Sequence, residues 1–254
     1  MRPRALILGG TTEARELALA LAGRHDLEAT VSLAGRTWSP APQPLPVRRG
    51  GFGGVEGLAS YLRDQHIKAL IDATHPYAQV ISANAAQAAA LTGTPVLAVR
   101  RPPWQPVLGD QWIEVTDGAH AIACLGASPR KVFLAVGRQE LEPFGQALQH
   151  RYVIRVVDPV VPQWLKEATY IYGRGPFTES GDRALLISNS IDAVIAKNSG
   201  GTATYSKIAA ARALGIPVLL FKRPPAPQIA AVDTARAAVC WLDQVLGLAA
   251  PRGV

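Results

Sequence analysis

Cysteine is scarce in this chain, and that scarcity excludes a redox couple and a thiolate metal site. Cys124 and Cys240 stand alone, with no Cys-x-x-Cys pair, and their helix-like surroundings suggest two buried free thiols. The five histidines are scattered without ligand spacing, so no metal is expected. Aromatic residues make up only 6% and do not interleave with the basic ones, unlike a single-strand nucleic-acid surface. No apolar run approaches the roughly 18 residues that span a bilayer. Arg2 and Arg4 precede an apolar segment, but Glu13, Arg15 and Glu16 interrupt it too early for a signal peptide, so a cytoplasmic location without membrane attachment is expected. Nor is there a Ser-His-Asp order or a paired-acid arrangement, a silence that suits chemistry carried by a bound cofactor.

Negative charge is the next shortage. Against 26 Lys and Arg there are 19 Asp and Glu, a formal charge of +7, which implies an acidic partner. The basic residues come in pairs (Arg48-Arg49, Arg100-Arg101, Arg130-Lys131, Lys222-Arg223) and form no long stripe. A small anionic ligand therefore fits better than nucleic acid.

What is abundant is apolar content, 48% over 254 residues, enough for one large domain or two ordinary ones. Strand-like runs at Ala5–Leu8, Ala29–Leu33, Ala69–Asp72, Val96–Val99, Val132–Val136, Tyr152–Val157, Thr169–Tyr172, Ala193–Ala196 and Val218–Phe221 alternate with helical patterns. The last helical pattern is read over Ile229–Leu246. Such alternation predicts an α/β fold built of βαβ units, with mostly parallel sheets and ligands at the carboxyl ends of the strands. Arg100-Arg101-Pro102-Pro103-Trp104 reads as a boundary, because consecutive prolines continue neither a ladder nor a helix. Residues 93–103 also resemble residues 215–225, with Gly, Pro, Val, Leu, Arg, Pro and Pro matching in order. We read this as a structural repeat. The expected organisation is two Rossmann-like domains, residues 1–100 and 104–246, with an interdomain cleft.

The stretch Ala5-Leu6-Ile7-Leu8-Gly9-Gly10-Thr11-Thr12-Glu13-Ala14 reads as a strand, a tight turn and a helix start, the layout that aims backbone N–H groups at a phosphate. It departs from G-x-G-x-x-G/A, since Thr11 stands at the second glycine. Gly9 and Gly10 permit close approach, Thr11 or Thr12 is suited to cap the helix, and Glu13 suits the helix dipole. After the second strand comes Ala34-Gly35-Arg36-Thr37, with no acid for ribose hydroxyls; Arg36 suits a 2′-phosphate and favours NADP over NAD. Thr74-His75-Pro76-Tyr77 follows the third strand. A capped helix start with proline at its first position accounts for Thr74 and Pro76, whereas His75 is not needed for capping and is a candidate to donate a proton or hydrogen bond to a substrate. Lys197-Asn198-Ser199-Gly200-Gly201 is a polar loop before a helix and lacks the spacing of a nucleoside triphosphatase. Gly173-Arg174-Gly175-Pro176-Phe177 and Gly137-Arg138 are further carboxyl-edge turns.

Taken together, Ile7–Arg15, Asp72-Ala73-Thr74-His75-Pro76-Tyr77-Ala78 and Lys197–Gly201 resemble the precorrin-6A reductases of cobalamin biosynthesis, as do Gly175-Pro176-Phe177 and Gly215-Ile216-Pro217-Val218. Tyr77 stands where phenylalanine is common in that family. The resemblance implies NADPH-dependent reduction of one double bond of a polycarboxylate macrocycle, giving precorrin-6B. On these motifs Gly9, Gly10, Thr11, Thr12, Glu13, Arg36 and Thr74 are assigned to the cofactor. His75, Tyr77, Lys197, Asn198, Ser199, Gly200 and Gly201 are assigned to the substrate, with His75 as proton donor. The alternatives are an NADP-dependent reductase of another small anion, or a non-catalytic tetrapyrrole-binding protein. A nucleic-acid binder would rest on charge alone.

Overall fold

The computed structural model describes residues 2–35, 41–159, 165 and 167–248. The chain divides into two compact units, one made of the residues up to Pro102 together with those from Pro224 on, the other running from Pro103 to Arg223.

The first unit begins β1 (Arg4–Leu8), α1 (Thr12–Leu21), β2 (Glu28–Leu33), β3 (Val47–Arg49), α2 (Gly54–Asp64), β4 (Ile67–Asp72), α3 (Gln79–Thr92) and β5 (Val96–Val99). The second contains β6 (Trp112–Val115), α4 (Gly118–Leu125), β7 (Lys131–Ala135), β8 (Arg151–Val156), β9 (Thr169–Tyr172), α5 (Glu179–Ser188), β10 (Ala193–Lys197), α6 (Ser206–Ala213) and β11 (Val218–Phe221). The chain then adds β12 (Ala231–Val232) and α7 (Ala235–Leu246) to the first unit. Both sheets have six strands and every pairing is parallel, in the orders β12-β5-β4-β1-β2-β3 and β6-β11-β10-β7-β8-β9. Buried on both faces, the central strands read as continuous apolar runs such as Ala5-Leu6-Ile7-Leu8 and Ala193-Val194-Ile195-Ala196. In the first sheet one face packs under α1 and α7, around Ile7, Leu17, Val31, Ala238 and Leu242. The other packs under α2 and α3, around Leu6, Leu8, Leu58, Leu62 and Leu70. In the second sheet Phe133, Val194, Leu186, Ile208 and Leu220 form the core beneath α5 and α6.

The repeat seen in the sequence has a structural counterpart. β1-α1-β2-β3-α2-β4-α3-β5 and β7-β8-β9-α5-β10-α6-β11 follow one order, except that two short 3-10 turns, Arg138–Glu140 and Glu142–Gln146, stand in the second where α1 stands in the first, and each Arg-Pro-Pro segment is a place where the chain changes unit. After β5 the chain reaches β6, which pairs with β11; after β11 it reaches β12, which pairs with β5. This corrects the C-terminal boundary read from the sequence. Residues 224–246 lie in the first unit, because β12 completes its sheet edge and α7 covers the apolar face beside α1. It also shortens the last helix, which starts at Ala235 behind its cap Thr234, whose side chain accepts from the Ala237 N–H. The cysteines are corrected as well. Both are free but exposed, on the solvent sides of α4 and α7.

In a doubly wound sheet ligands bind where successive crossovers run in opposite directions. That switch point lies between β1 and β4 in the first unit and between β7 and β10 in the second.

Candidate active site

In the first unit the turn after β1 is held from several sides. The Gly9 N–H donates to the Ser32 carbonyl at 2.9 Å, and a Cβ at Gly9 would stand 2.9 Å from Val31 Cγ1, so packing against β2 requires glycine there. Gly10 has φ +116°, with open space where its Cβ would lie. Thr11 is the N-cap of α1. Its Oγ1 accepts from the Ala14 N–H at 3.1 Å and donates to the Ala73 carbonyl at 2.8 Å, which ties the turn to the end of β4. Thr12 and Glu13 open the helix, whose first-turn amides have no intrahelical acceptor. Glu13 is paired with Arg101 at 2.6 Å, which removes most of its repulsion toward an anion at the helix start.

Beside this turn, the segment after β4 is organised by Asp72. Its carboxylate, 1% exposed, accepts from the Thr74 N–H at 3.2 Å, from Thr74 Oγ1 at 2.6 Å and from Arg100 at 3.0 Å. Thr74 is therefore no helix cap. Asp72 captures its hydroxyl in a local turn, and α3 starts only at Gln79. His75 Nδ1 accepts from the Tyr77 N–H at 3.3 Å, and the two rings lie 5.6 Å apart, tilted by 38°. That bond places the proton of a neutral imidazole on Nε2.

Arg36 lies outside the described residues. Near the end of β2 the structure adds Arg48, which sequence reasoning noted only as one of a basic pair. It stands opposite Ser32 in the β2–β3 register and donates to the carbonyls of Gly50 at 2.6 Å and Gly51 at 2.7 Å. Its guanidinium rests 3.7 Å from the centre of the Phe52 ring.

In the second unit Lys197 ends β10, and its Nζ donates to Glu140 Oε1 at 2.6 Å. Glu140 comes from the short 3-10 turn that follows Gly137. A Cβ at Gly137 would lie 2.5 Å from Glu140 Oε2 and 3.4 Å from Lys197 Nζ, so glycine there makes room for the ion pair. Glu140 Oε2 is buried without a hydrogen-bond partner. Asn198 clamps the Trp104 backbone, accepting from its N–H at 2.8 Å and donating to its carbonyl at 3.0 Å. The Trp104 indole donates to the Gly201 carbonyl at 2.7 Å, and Arg223 Nε donates to the Asn198 carbonyl at 2.7 Å. Ser199 turns back onto the Lys197 carbonyl at 2.8 Å, and Gly200 and Gly201 take φ of +68° and +70°, a left-handed pair that favours glycine.

Under this loop lies a polar cluster invisible in the sequence. Arg155 and Asp182, both buried, are paired at 2.5 Å, and Ser206 donates to the other Asp182 oxygen at 2.6 Å. The Arg155 guanidinium stacks 3.8 Å from the centre of the Phe177 ring, and the Phe177 N–H donates to the Ala203 carbonyl, joining the Gly173–Phe177 turn to the Lys197 loop. Lys207, 4% exposed, lies beside the same cluster. One signal for its burial was available: Lys207, Ala210 and Ala211 share the i, i+3, i+4 face of α6.

The candidate residues thus fall into two groups. Gly9 to Glu13 and Thr74 meet at the first switch point, with His75 and Tyr77 just beyond. Lys197 to Gly201 belong to the second unit.

Comparison with known proteins gives concordant results. The family model described as precorrin-6x reductase CbiJ/CobK matches residues 4–243. A protein of Sinorhizobium sp. named precorrin-6A reductase is 53% identical over 238 residues, covering 92% of this chain and 91% of its own. A cobalt-precorrin-6A reductase of Priestia megaterium is 28% identical over 232 residues, covering 86% and 90%. The solved structure of a CobK precorrin-6A reductase superposes with a TM-score of 0.92 at 48% identity, covering 99% of this chain and 100% of that one.

Proposed function

The chain belongs to the precorrin-6x reductase family, oxidoreductases acting on a carbon–carbon double bond in cobalamin biosynthesis, and from that premise we propose that it uses NADPH to reduce precorrin-6A to precorrin-6B. Its substrate is a tetrapyrrole macrocycle. The cobalt-free form is the one we assign, on the higher identity to the relative named for it: 53% against 28% for the cobalt-named protein.

The observation that carries the cofactor assignment is the turn after β1. Gly10 at φ +116° with open space beside it, the cap Thr11 and the first-turn amides of α1 make a cradle for a phosphate at a switch point. Gly9, Thr12, Glu13 and Thr74 complete that cradle in our reading, with Arg36 taking the 2′-phosphate. NADPH supplies the hydride when bound. The protein's part is to hold donor and acceptor carbons at near-attack distance, roughly 3–3.5 Å. In our reading His75 gives a proton to the reduced macrocycle as the imidazolium, the Nδ1 bond from the Tyr77 N–H belonging to its neutral form. Tyr77 supports the imidazole face. Lys197 presents an ammonium, and Asn198, Ser199, Gly200 and Gly201 present backbone and side-chain donors, to carboxylates of the substrate.

The test is NADPH oxidation measured spectrophotometrically with cobalt-free and cobalt-bound precorrin-6A side by side, against NADH. Turnover with the cobalt-free substrate and NADPH is expected to dominate. Replacing Arg36 by Ala is expected to weaken NADPH binding about tenfold or more, the worth of a charge-assisted bond, and to leave NADH binding unchanged. Equal effects on the two cofactors overturn the 2′-phosphate assignment.

A further inference from the structure

Lys207 takes no part in the steps above, and its setting is unusual for a lysine. It sits on α6 among buried Ile208, Ala209, Ala210 and Ala211, in a helix start that packs against α5 and the sheet. No carboxylate among the described residues pairs with it, because the oxygens of Asp182, the acid acting on it, are taken by Arg155 and Ser206. Two groups hold its ammonium. Nζ donates to the Thr204 carbonyl, and it lies 5.0 Å from the centre of the Trp104 ring. A buried amine without an acid partner is expensive, and an apolar side chain of the same length would avoid the penalty. What the amine achieves is local. Trp104 is bonded to Asn198 through its backbone and to Gly201 through its indole, while Thr204 closes the same loop from the other end.

We propose that Lys207 is a positioning residue for the substrate loop: its ammonium, bonded to Thr204 and seated against Trp104, fixes Asn198 and Gly201 in the geometry that receives the tetrapyrrole. The proposal rests on the assignment of Lys197–Gly201 to the substrate. It is the charged form that does this, since the attraction to the indole face requires a cation and a neutral amine donates weakly. The charged groups acting on Lys207 are Arg155 from β8 and Asp182 from α5. Burial pushes the ammonium down to about 7, Arg155 acts in the same direction and Asp182 opposes them. The loop therefore loses its tie as pH rises through neutrality, while substrate carboxylates stay ionised throughout.

The experiment compares wild type, Lys207→Met and Lys197→Met with precorrin-6A and NADPH from pH 6 to pH 8. In the wild type KM for precorrin-6A is expected to rise with pH while KM for NADPH stays level. Lys207→Met is expected to show, at pH 6, a substrate KM raised about tenfold, the worth of one charged hydrogen bond, with kcat little changed and no remaining rise with pH. Lys207→Gln, which keeps a donor and removes the charge, takes its place should the Met variant not fold. Melting gives a second readout. A lysine whose folded-state pKa is lowered binds fewer protons than the unfolded chain between about 7 and 10.5, so its burial penalty fades as pH rises across that range. The wild type should gain stability relative to Lys207→Met over that interval. A folded Lys207 variant whose substrate KM tracks the wild type at every pH, while Lys197→Met raises KM, overturns the positioning role. A Lys197→Met enzyme with unchanged KM removes the substrate-loop assignment, and the role of Lys207 with it.

Discussion

At the switch point of the first sheet, between β1 and β4, charges are neutralised locally and the backbone is left to interact. Thr11 bonds Ala14 and Ala73, Asp72 is surrounded by Thr74 and Arg100, and Glu13 is paired with Arg101. At the switch point of the second, between β7 and β10, the same topology carries a lysine–glutamate pair, a tryptophan held by an asparagine, and a buried cation below. In our reading one repeat unit serves two ligand chemistries. A phosphate is recognised by amides and a helix dipole, which need glycine and caps more than side-chain charge. A macrocycle bearing several carboxylates is recognised by fixed cations, which need a scaffold of buried polar groups.

The comparison can be broken most forcefully at Asp182. Removing it leaves Arg155 buried without its acid and Ser206 without its acceptor, so Asp182→Ala should lower stability by about 3–5 kcal/mol. Chemical denaturation should show the loss, and a reduction below about 1 kcal/mol would mean that the second unit does not depend on its buried network. The first unit is more sensitive to packing. Gly9→Ala forces a methyl group to within 2.9 Å of Val31 Cγ1, and about 1–3 kcal/mol should be lost, with NADPH binding weakened and substrate binding retained. Calorimetry with each ligand separates the two effects. The smallest change in stability is expected at Gly137, where an added methyl meets the movable ends of Glu140 and Lys197 in place of a packed core. Gly137→Ala should cost under about 1 kcal/mol yet raise the substrate KM severalfold by displacing Lys197. A larger stability loss than that of Gly9→Ala would reverse the contrast drawn between the two sites.

Much of this architecture is legible in the chain. The central strands announce themselves as apolar runs because each is covered on both faces, and helices such as α1 and α2 keep one apolar stripe. The three unread strands, β3, β6 and β12, are all short edge strands. β3 is Val47-Arg48-Arg49, two of its three residues charged, and β12 has two residues, so neither shows a periodicity. β12 was instead absorbed into the preceding part of a helical pattern. Of the candidate site, the glycine turn and the Lys197 loop were legible because glycine and polar residues at strand ends have few other uses. Glu140, Asp182 and Lys207 were not, because a paired or buried charge has the same letter as an exposed one, nor was the part of Trp104, whose partners Asn198 and Gly201 lie over 90 residues away.

The sequence by itself determined the alternation of strand and helix, the repeated Arg-Pro-Pro segments with a boundary at the first of them, the turn after β1 and, through its motifs, the family. These are local properties, set by backbone conformation and side-chain period within a dozen residues. Only the tertiary structure decided that residues 224–246 return to the first sheet, that Lys197 meets Glu140 across 57 positions, and that Lys207 is closed in beneath Trp104. The physical reason is that ion pairs and burial depend on which distant segments share a sheet, and strand order is settled by the competition among all apolar faces for cover.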